Sequence, residues 1–137
     1  MRLLPRLALL PVVLALPASA SAADPQMWQT PSGNIACAQF GAQLRCDMRE
    51  TGTTPPPRPT SNCEGDWGNA FGVGRNARRG RRLCVSDAVG GPGTPTVRYG
   101  RTWRRGGFRC RVRRSGVRCT NRGGHGFFLR IGLQRLF

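Results

Sequence analysis

GGFRCRVRRSGVRCTNRGGHGFF, residues 106 to 128, holds a C-x8-C pair, a run of arginines and the only histidine of a 137-residue chain. Folded back on a two-residue loop at Arg114-Ser115, it sets Cys110 opposite Cys119, Val112 opposite Val117 and Phe108 opposite Asn121. All six share one face, because side chains on a strand alternate with period two. The other face carries Arg109, Arg111, Arg113, Arg118 and Thr120. One surface is a disulfide-compatible core and the other a cationic ladder. Arg111 faces Arg118, a like-charge pair that destabilises a sheet unless solvent or an anion compensates. A three-residue bulged loop over Arg114-Ser115-Gly116 is the alternative, and it slips the register by one and misaligns the cysteines. The joint alignment of cysteines and valines favours the two-residue loop.

Ile35 to Met48 repeats this architecture. With Gly41-Ala42 as the loop, glycine taking the positive φ, Cys37 faces Cys46, Gln39 faces Leu44 and Ile35 faces Met48. The C-x8-C spacing is the same, and Gly33-Asn34-Ile35-Ala36-Cys37 aligns with Gly106-Gly107-Phe108-Arg109-Cys110. The outward face of this first copy, Ala36, Ala38, Phe40, Gln43, Arg45 and Asp47, is almost neutral. The arginine ladder therefore belongs to the second copy alone.

The chain opens MRLLPRLALLPVVLALPASASAADPQ, with Arg2 and Arg6, an apolar run from Leu7 to Leu16, and Ala-x-Ala sites at Ala18/Ala20 and Ala20/Ala22. This pattern predicts a secretory signal peptide over residues 1–23, followed by a single disulfide-rich β domain over 24–137. An uncleaved anchor is the competing reading, but the run is about half of the ~20 residues a spanning helix needs and is broken by Pro11. No transmembrane span is expected, and the product is secreted, extracellular or periplasmic. All six cysteines, Cys37, Cys46, Cys63, Cys84, Cys110 and Cys119, fall in the mature part, as in a three-disulfide framework. Cys63 pairs with Cys84 by elimination, one of fifteen formal connectivities. With no C-x2-C spacing and one histidine, neither zinc nor any other cofactor is expected.

Beyond Arg2 and Arg6 the chain has twenty arginines, no lysine and six acids, a net charge of +14. Asp24 to Gly74 holds three arginines and five acids, whereas Arg75 to Phe137 holds seventeen arginines and only Asp87. Such a field attracts polyanions, anionic headgroups or acidic proteins. The absence of lysine also fits a compositional bias that leaves the charge as solvated surface.

Met27 to Gln29 reads as a short extended segment before the tight turn Thr30 to Asn34. Glu50 to Asn62, with Pro55, Pro56, Pro57 and Pro59, reads as an extended polyproline strap. Cys63 to Gly68 reads as a tight loop with a buried indole, Trp67. Asn69 to Val73 and Arg82 to Val85 are strand candidates about the polar turn Gly74 to Gly80, where Arg75, Arg78, Arg79, Arg81 and Arg82 form a second basic cluster. Ser86 to Pro95 is a loop. Thr96 to Tyr99 and Arg101 to Trp103 flank a turn, Arg104 to Gly107 form another, Phe127 to Leu129 a last strand, and Arg130 to Phe137 a closing segment. Helical periodicity is sustained nowhere over ten residues beyond the leader. The fold class is small all-β, a disulfide-stapled antiparallel meander or open barrel of roughly seven to nine short strands.

The segments TPSGNIAC, PPPRP, CEGDWG, YGRTWRRGGFRC and GVRCTNRGGHGFFL resemble a family of small exported bacterial six-cysteine proteins known as a domain of unknown function. The resemblance covers the whole mature chain, and PSGNIAC and GHGF are its most specific parts. After GHGFFL, Arg130-Ile131-Gly132 stands where the family pattern has Ser-Arg. The resemblance implies a secreted, disulfide-bonded domain and brings no assigned activity.

Catalysis needs a placed acid, base or nucleophile. A small nuclease would draw on His125 as acid, Glu50 or Glu64 as base, and Arg111 or Arg118 on the phosphate. His125 in a glycine-rich turn reads more simply as a packing residue. No G-x-S-x-G occurs and every cysteine has a partner, so no catalytic residue is assigned and the chain is not read as an enzyme. Anion binding has a fuller cast: Arg104, Arg105, Arg109, Arg111, Arg113, Arg118 and Arg122, with Trp103 and Tyr99 as stacking partners. Guanidinium forks suit phosphate and carboxylate, so anionic polymers or an acidic protein are the expected partners. Sequence-specific nucleic-acid readout is not expected, for no recognition helix or aromatic RNA platform is visible.

Overall fold

A computed structural model describes residues 12–18 and 23–137. Of the predicted signal peptide, residues 1–11 and 19–22 lie outside the described residues, and 12–18 have no regular secondary structure. Ten strands follow: β1 (Met27–Gln29), β2 (Ile35–Phe40), β3 (Gln43–Met48), β4 (Ala70–Gly74), β5 (Arg81–Arg82), β6 (Thr102–Arg105), β7 (Phe108–Arg113), β8 (Gly116–Thr120), β9 (Gly126–Arg130) and β10 (Leu133–Leu136). They form two open antiparallel sheets, each a meander in chain order, β1 to β5 and β6 to β10. There is no helix among the described residues, and none is long and apolar enough to cross a membrane.

Both hairpins that carry C-x8-C take the two-residue register. Cys37 pairs with Cys46 and Phe40 with Gln43 across β2 and β3, and Cys110 pairs with Cys119 and Arg113 with Gly116 across β7 and β8. The bridges are Cys37–Cys46, Cys63–Cys84 and Cys110–Cys119. The repeat extends beyond the hairpins. In the first sheet Trp28 pairs with Cys37, Cys37 with Cys46 and Cys46 with Phe71. In the second, Trp103 pairs with Cys110, Cys110 with Cys119 and Cys119 with Phe127. Each sheet thus carries a transverse Trp-Cys-Cys-Phe row, and all of these side chains are 0% exposed. The rows meet face to face. The rings of Trp28 and Trp103 lie 5.9 Å apart, and the Sγ atoms of Cys46 and Cys119 3.9 Å apart. Ile35, Leu44, Val73, Phe108, Val112, Val117 and Leu129 complete one core between the sheets.

Several expectations are corrected. Ten strands stand where seven to nine were expected, because Arg130 to Phe137 is not a loose closing segment. Ile131-Gly132 makes a two-residue loop, with Gly132 at φ +86°, and returns the chain as β10 on β9. Arg104 and Arg105 lie in β6 and not in a turn. The turn is Gly106-Gly107 alone, both with positive φ, the backbone that a two-residue hairpin loop demands. Arg82 to Val85 is a strand only at Arg81–Arg82, with Val85 bridging Asp66. Trp67 is half-buried, and the fully buried indoles are Trp28 and Trp103. Part of the first hairpin's almost neutral outward face is covered, although Phe40 is 47% exposed. Val89 and Met27 pack on Ala36 and Ala38, and Arg45 is 7% exposed.

Candidate anion-binding site

On the outer face of the second sheet the registers line up three rows. Thr102, Arg111, Arg118, Phe128 and Arg135 follow one another across all five strands. Arg104, Arg109, Thr120 and Gly126 form the next row, which the backbone pairing of Gly126 with Phe137 extends to Phe137. Arg113 opposite Gly116, and Arg130 opposite Leu133, continue the face at the other end. Every arginine in these rows is exposed. Two cross-strand pairs, Arg104 with Arg109 and Arg111 with Arg118, set like charges side by side. Directly opposed residues stand only ~4.5–5.5 Å apart at Cβ.

The face is concave at one end. Arg104, Arg105, Arg109, Arg111, Arg118 and Arg122 line a depression of about 720 Å³ floored by the Gly106-Gly107 turn and Thr120, with no carboxylate in its wall. Gly107 is favoured here by its φ of +88°, and the Arg122 side chain folds over the turn, its Nε 2.9 Å from where a Cβ would stand. Among the described residues the only salt bridges are those of Arg45 with Asp47 and Asp87, so no arginine of this face is neutralised by them. Asp24 comes nearest. Its carboxylate accepts the backbone N–H of Arg104 (2.8 Å), and its carbonyl accepts from Nη1 of Arg105 (2.9 Å).

Six of the seven arginines expected to bind anions are brought together in this depression. Arg113 lies farther along β7, and Arg105 spends part of its fork on Asp24. Trp103 cannot stack on a ligand. Register puts it on the core face beside Cys110, and its indole N–H donates to the carbonyl of Pro25 (2.8 Å). Tyr99 is half-buried beneath Arg114, whose guanidinium carbon lies 4.9 Å from the ring centroid. Arg130, Arg135, Phe128 and Phe137 share the outer face and were missed. The alternation Phe128, Arg130 and Leu133, Arg135, Phe137 was readable once Ile131-Gly132 was taken as a hairpin loop.

In the second basic cluster Arg75 and Arg82 are scaffold, whereas Arg78, Arg79 and Arg81 are exposed. Arg75 donates to the carbonyls of Gly106 and Gly41, clamping a turn of each sheet. Arg82 donates to the carbonyls of Pro56, Trp67 and Gly68, tying the proline strap to the Trp67 loop. Burial pulls its guanidinium below the ordinary value. His125 is half-buried in a turn built on Asn121, whose Oδ1 accepts the N–H groups of Gly123 and His125. The amide of Asn121 donates across to the carbonyls of Gly74 and Ala77 in the first sheet. Neither His125 nor Glu50 nor Glu64 lines the arginine depression. The sulfurs of Cys37, Cys46 and Cys119 lie within 4.8 Å of one another, but each is spent in a disulfide.

The first sheet's outer side has the opposite character. A cleft of about 790 Å³ there is lined by Asp47, Asp66 and Asp87 with Arg49. Arg45 reaches Asp47 at 2.8 Å and Asp87 at 2.9 Å, and the Asp47 carboxylate also accepts the N–H of Val89. The hydrogen bonds that Arg45 donates to Asp47, opposed by burial, raise its guanidinium above the ordinary value. The Arg45 hydrogen bond and charge hold the Asp87 carboxyl below the usual carboxylate range.

No curated protein and no solved structure matches the chain. Over residues 8–137, which take in both sheets and all three bridges, it matches DUF6636, a family of unknown function, and it belongs to that family.

Proposed function

We propose that this protein is a secreted, non-enzymatic binding module that takes extracellular or cell-envelope polyanions on the arginine face of its second sheet. The observation that carries this reading is the unequal treatment of two equivalent arginines. Arg45 and Arg118 each precede the second cysteine of a C-x8-C hairpin and point to the outer face. Arg45 is covered and holds two carboxylates of its own chain, whereas Arg118 stands exposed beside Arg111 with neither. An anion from another molecule would relieve the repulsion of Arg111 with Arg118 and of Arg104 with Arg109. Planar forks offer phosphate, sulfate or carboxylate paired hydrogen bonds. Three disulfides in a small domain suit an oxidising compartment.

The test compares retention of the wild type and of the triple variant Arg109→Gln, Arg111→Gln, Arg118→Gln on heparin and phosphopolymer columns over a salt gradient. The wild type should elute late and with steep salt dependence. The variant should elute early, with the slope of log K against log salt smaller by about 2, since each phosphate contact contributes roughly 0.7–0.9. Equal, salt-insensitive elution of both would sink the reading.

A further inference from the structure

We infer that the polyanion suited to this face is a single-stranded polynucleotide, bound by base stacking as well as by phosphate contacts; this rests on the anion-binding reading above. A face that only gathered negative charge would need no aromatic rings, yet two lie among its arginines. Phe128 is the cross-strand neighbour of Arg118 and of Arg135. Its ring reaches over Gly116, where an added Cβ would meet Cζ at 2.4 Å, so the sheet is thinned beneath it. Phe137 is held to β9 by reciprocal backbone hydrogen bonds with Gly126 (3.0 and 2.8 Å) and accepts a third from Gly80 (2.9 Å). The guanidinium carbon of Arg118 lies 4.2 Å from its ring centroid.

Both phenylalanines are half-buried on the outer face, Phe128 in β9 and Phe137 just beyond β10, where the inner positions already supply the core. The corresponding position in the first sheet, one residue after the row phenylalanine Phe71, is Gly72, and there the chain lays its own Leu83 over the gap. In the second sheet Phe128 occupies that place and remains part open to solvent. Arg118 joins the two halves of the surface. It lines the arginine depression, stacks on Phe137 and neighbours Phe128. Phosphates set among the depression arginines would bring the attached bases towards these rings. A basic groove beside aromatic side chains is how single strands are held without sequence preference, because every base has a π-face. Polyphosphates and sulfated glycans offer the charge without the planes, and a duplex hides its base faces.

The protein from Asp24 onward, disulfides intact, would be titrated by fluorescence anisotropy against an oligothymidylate of about 15 nucleotides. A fully abasic phosphodiester of the same length, a duplex and heparin would be compared at one fixed salt concentration. The oligothymidylate should bind about 10-fold or more tighter than the abasic strand, the factor that one stacked base contributes. Phe128→Leu and Phe137→Leu keep each site apolar while removing the ring; each should lower that ratio while leaving abasic affinity within about 2-fold. Equal binding of the thymidylate and abasic strands, tighter binding of duplex or heparin, or an undiminished ratio in both leucine variants would overturn the inference and leave the polyanion reading standing. Failure to bind any of the four would remove both.

Discussion

Arg45 and Arg118 occupy the same place in two copies of one architecture. Each lies on the outer face of the hairpin strand that carries the second cysteine, and each is one residue before it. In the first sheet the opposing residue is Ala38, Asp47 follows two positions on, and residues 85 to 91 lie over the top. In the second sheet the opposing residue is Arg111, and Thr120 stands where Asp47 would be. The inner faces of the sheets are alike down to their Trp-Cys-Cys-Phe rows. The scaffold has been kept and the surface changed. An outer face can be completed within the chain, as a covered ion pair, or left as a field of one sign that something else must complete.

The comparison breaks most readily at those two arginines. Arg45→Ala removes the partner of a carboxylate whose side chain is only 17% exposed and uncovers the packing of residues 85 to 89. We expect a loss of about 2 kcal/mol in chemical denaturation, below the ~3–5 for a fully buried pair because Asp47 keeps the Val89 N–H and some solvent. Arg118→Gln should change stability by about 0.5 kcal/mol or less, since relief of a like-charge cross-strand pair is offset by loss of the guanidinium's contact with the Phe137 ring. A loss at Arg118 matching that at Arg45 would show that the second face is structural after all.

What was legible in the sequence follows the same division. Both hairpin registers could be read because cysteines and apolar residues share one parity of the period-two pattern, and a slip of one residue would send all of them to the wrong face. The arginine ladder came with the register. The cover over Ala36, Ala38 and Arg45 could not be read, because it is supplied by residues 85 to 91, some forty positions away and without periodicity of their own. The tryptophans were misjudged for lack of the same check. Trp103 pairs with Cys110 and so must point inward, while Trp67 lies in a loop where no parity decides its burial. Phe128 is read only as part of a last strand and Phe137 as the end of a closing segment, although Gly132 marks the turn that returns the chain along β9 and brings Phe137 to the arginine face.

The two row tryptophans sharpen the comparison on its conserved side. The indole N–H of Trp103 donates to Pro25, whereas that of Trp28 is buried without a hydrogen-bond partner. Replacement by phenylalanine trims the same volume at both sites. Trp103→Phe also strips Pro25 of its donor and loosens the anchoring of Asp24 on β6, while Trp28→Phe relieves an unsatisfied group. Trp103→Phe should therefore be about 1 kcal/mol the more destabilising in paired urea titrations. Equal losses would mean that the hydrogen bond to Pro25 contributes nothing net.

The smallest expected effect is a pH dependence confined to the first sheet. Asp87 is well exposed, yet the hydrogen bond and charge of Arg45 hold its carboxyl below the ordinary aspartate range. A carboxylate whose folded pKa is depressed stabilises the fold fully above its unfolded pKa and loses that contribution as pH falls through the folded value. Wild type should thus be slightly more stable than Asp87→Asn near pH 7. The two denaturation midpoints should converge as acid is added below about pH 4. For Arg118→Gln no such convergence with its parent is expected over that interval, because no carboxylate faces Arg118 among the described residues. A gap between wild type and Asp87→Asn that stays constant into strong acid would mean that Asp87 acts through packing alone. The first face would then owe its closure to Asp47, the acid for which the second sheet substitutes Thr120.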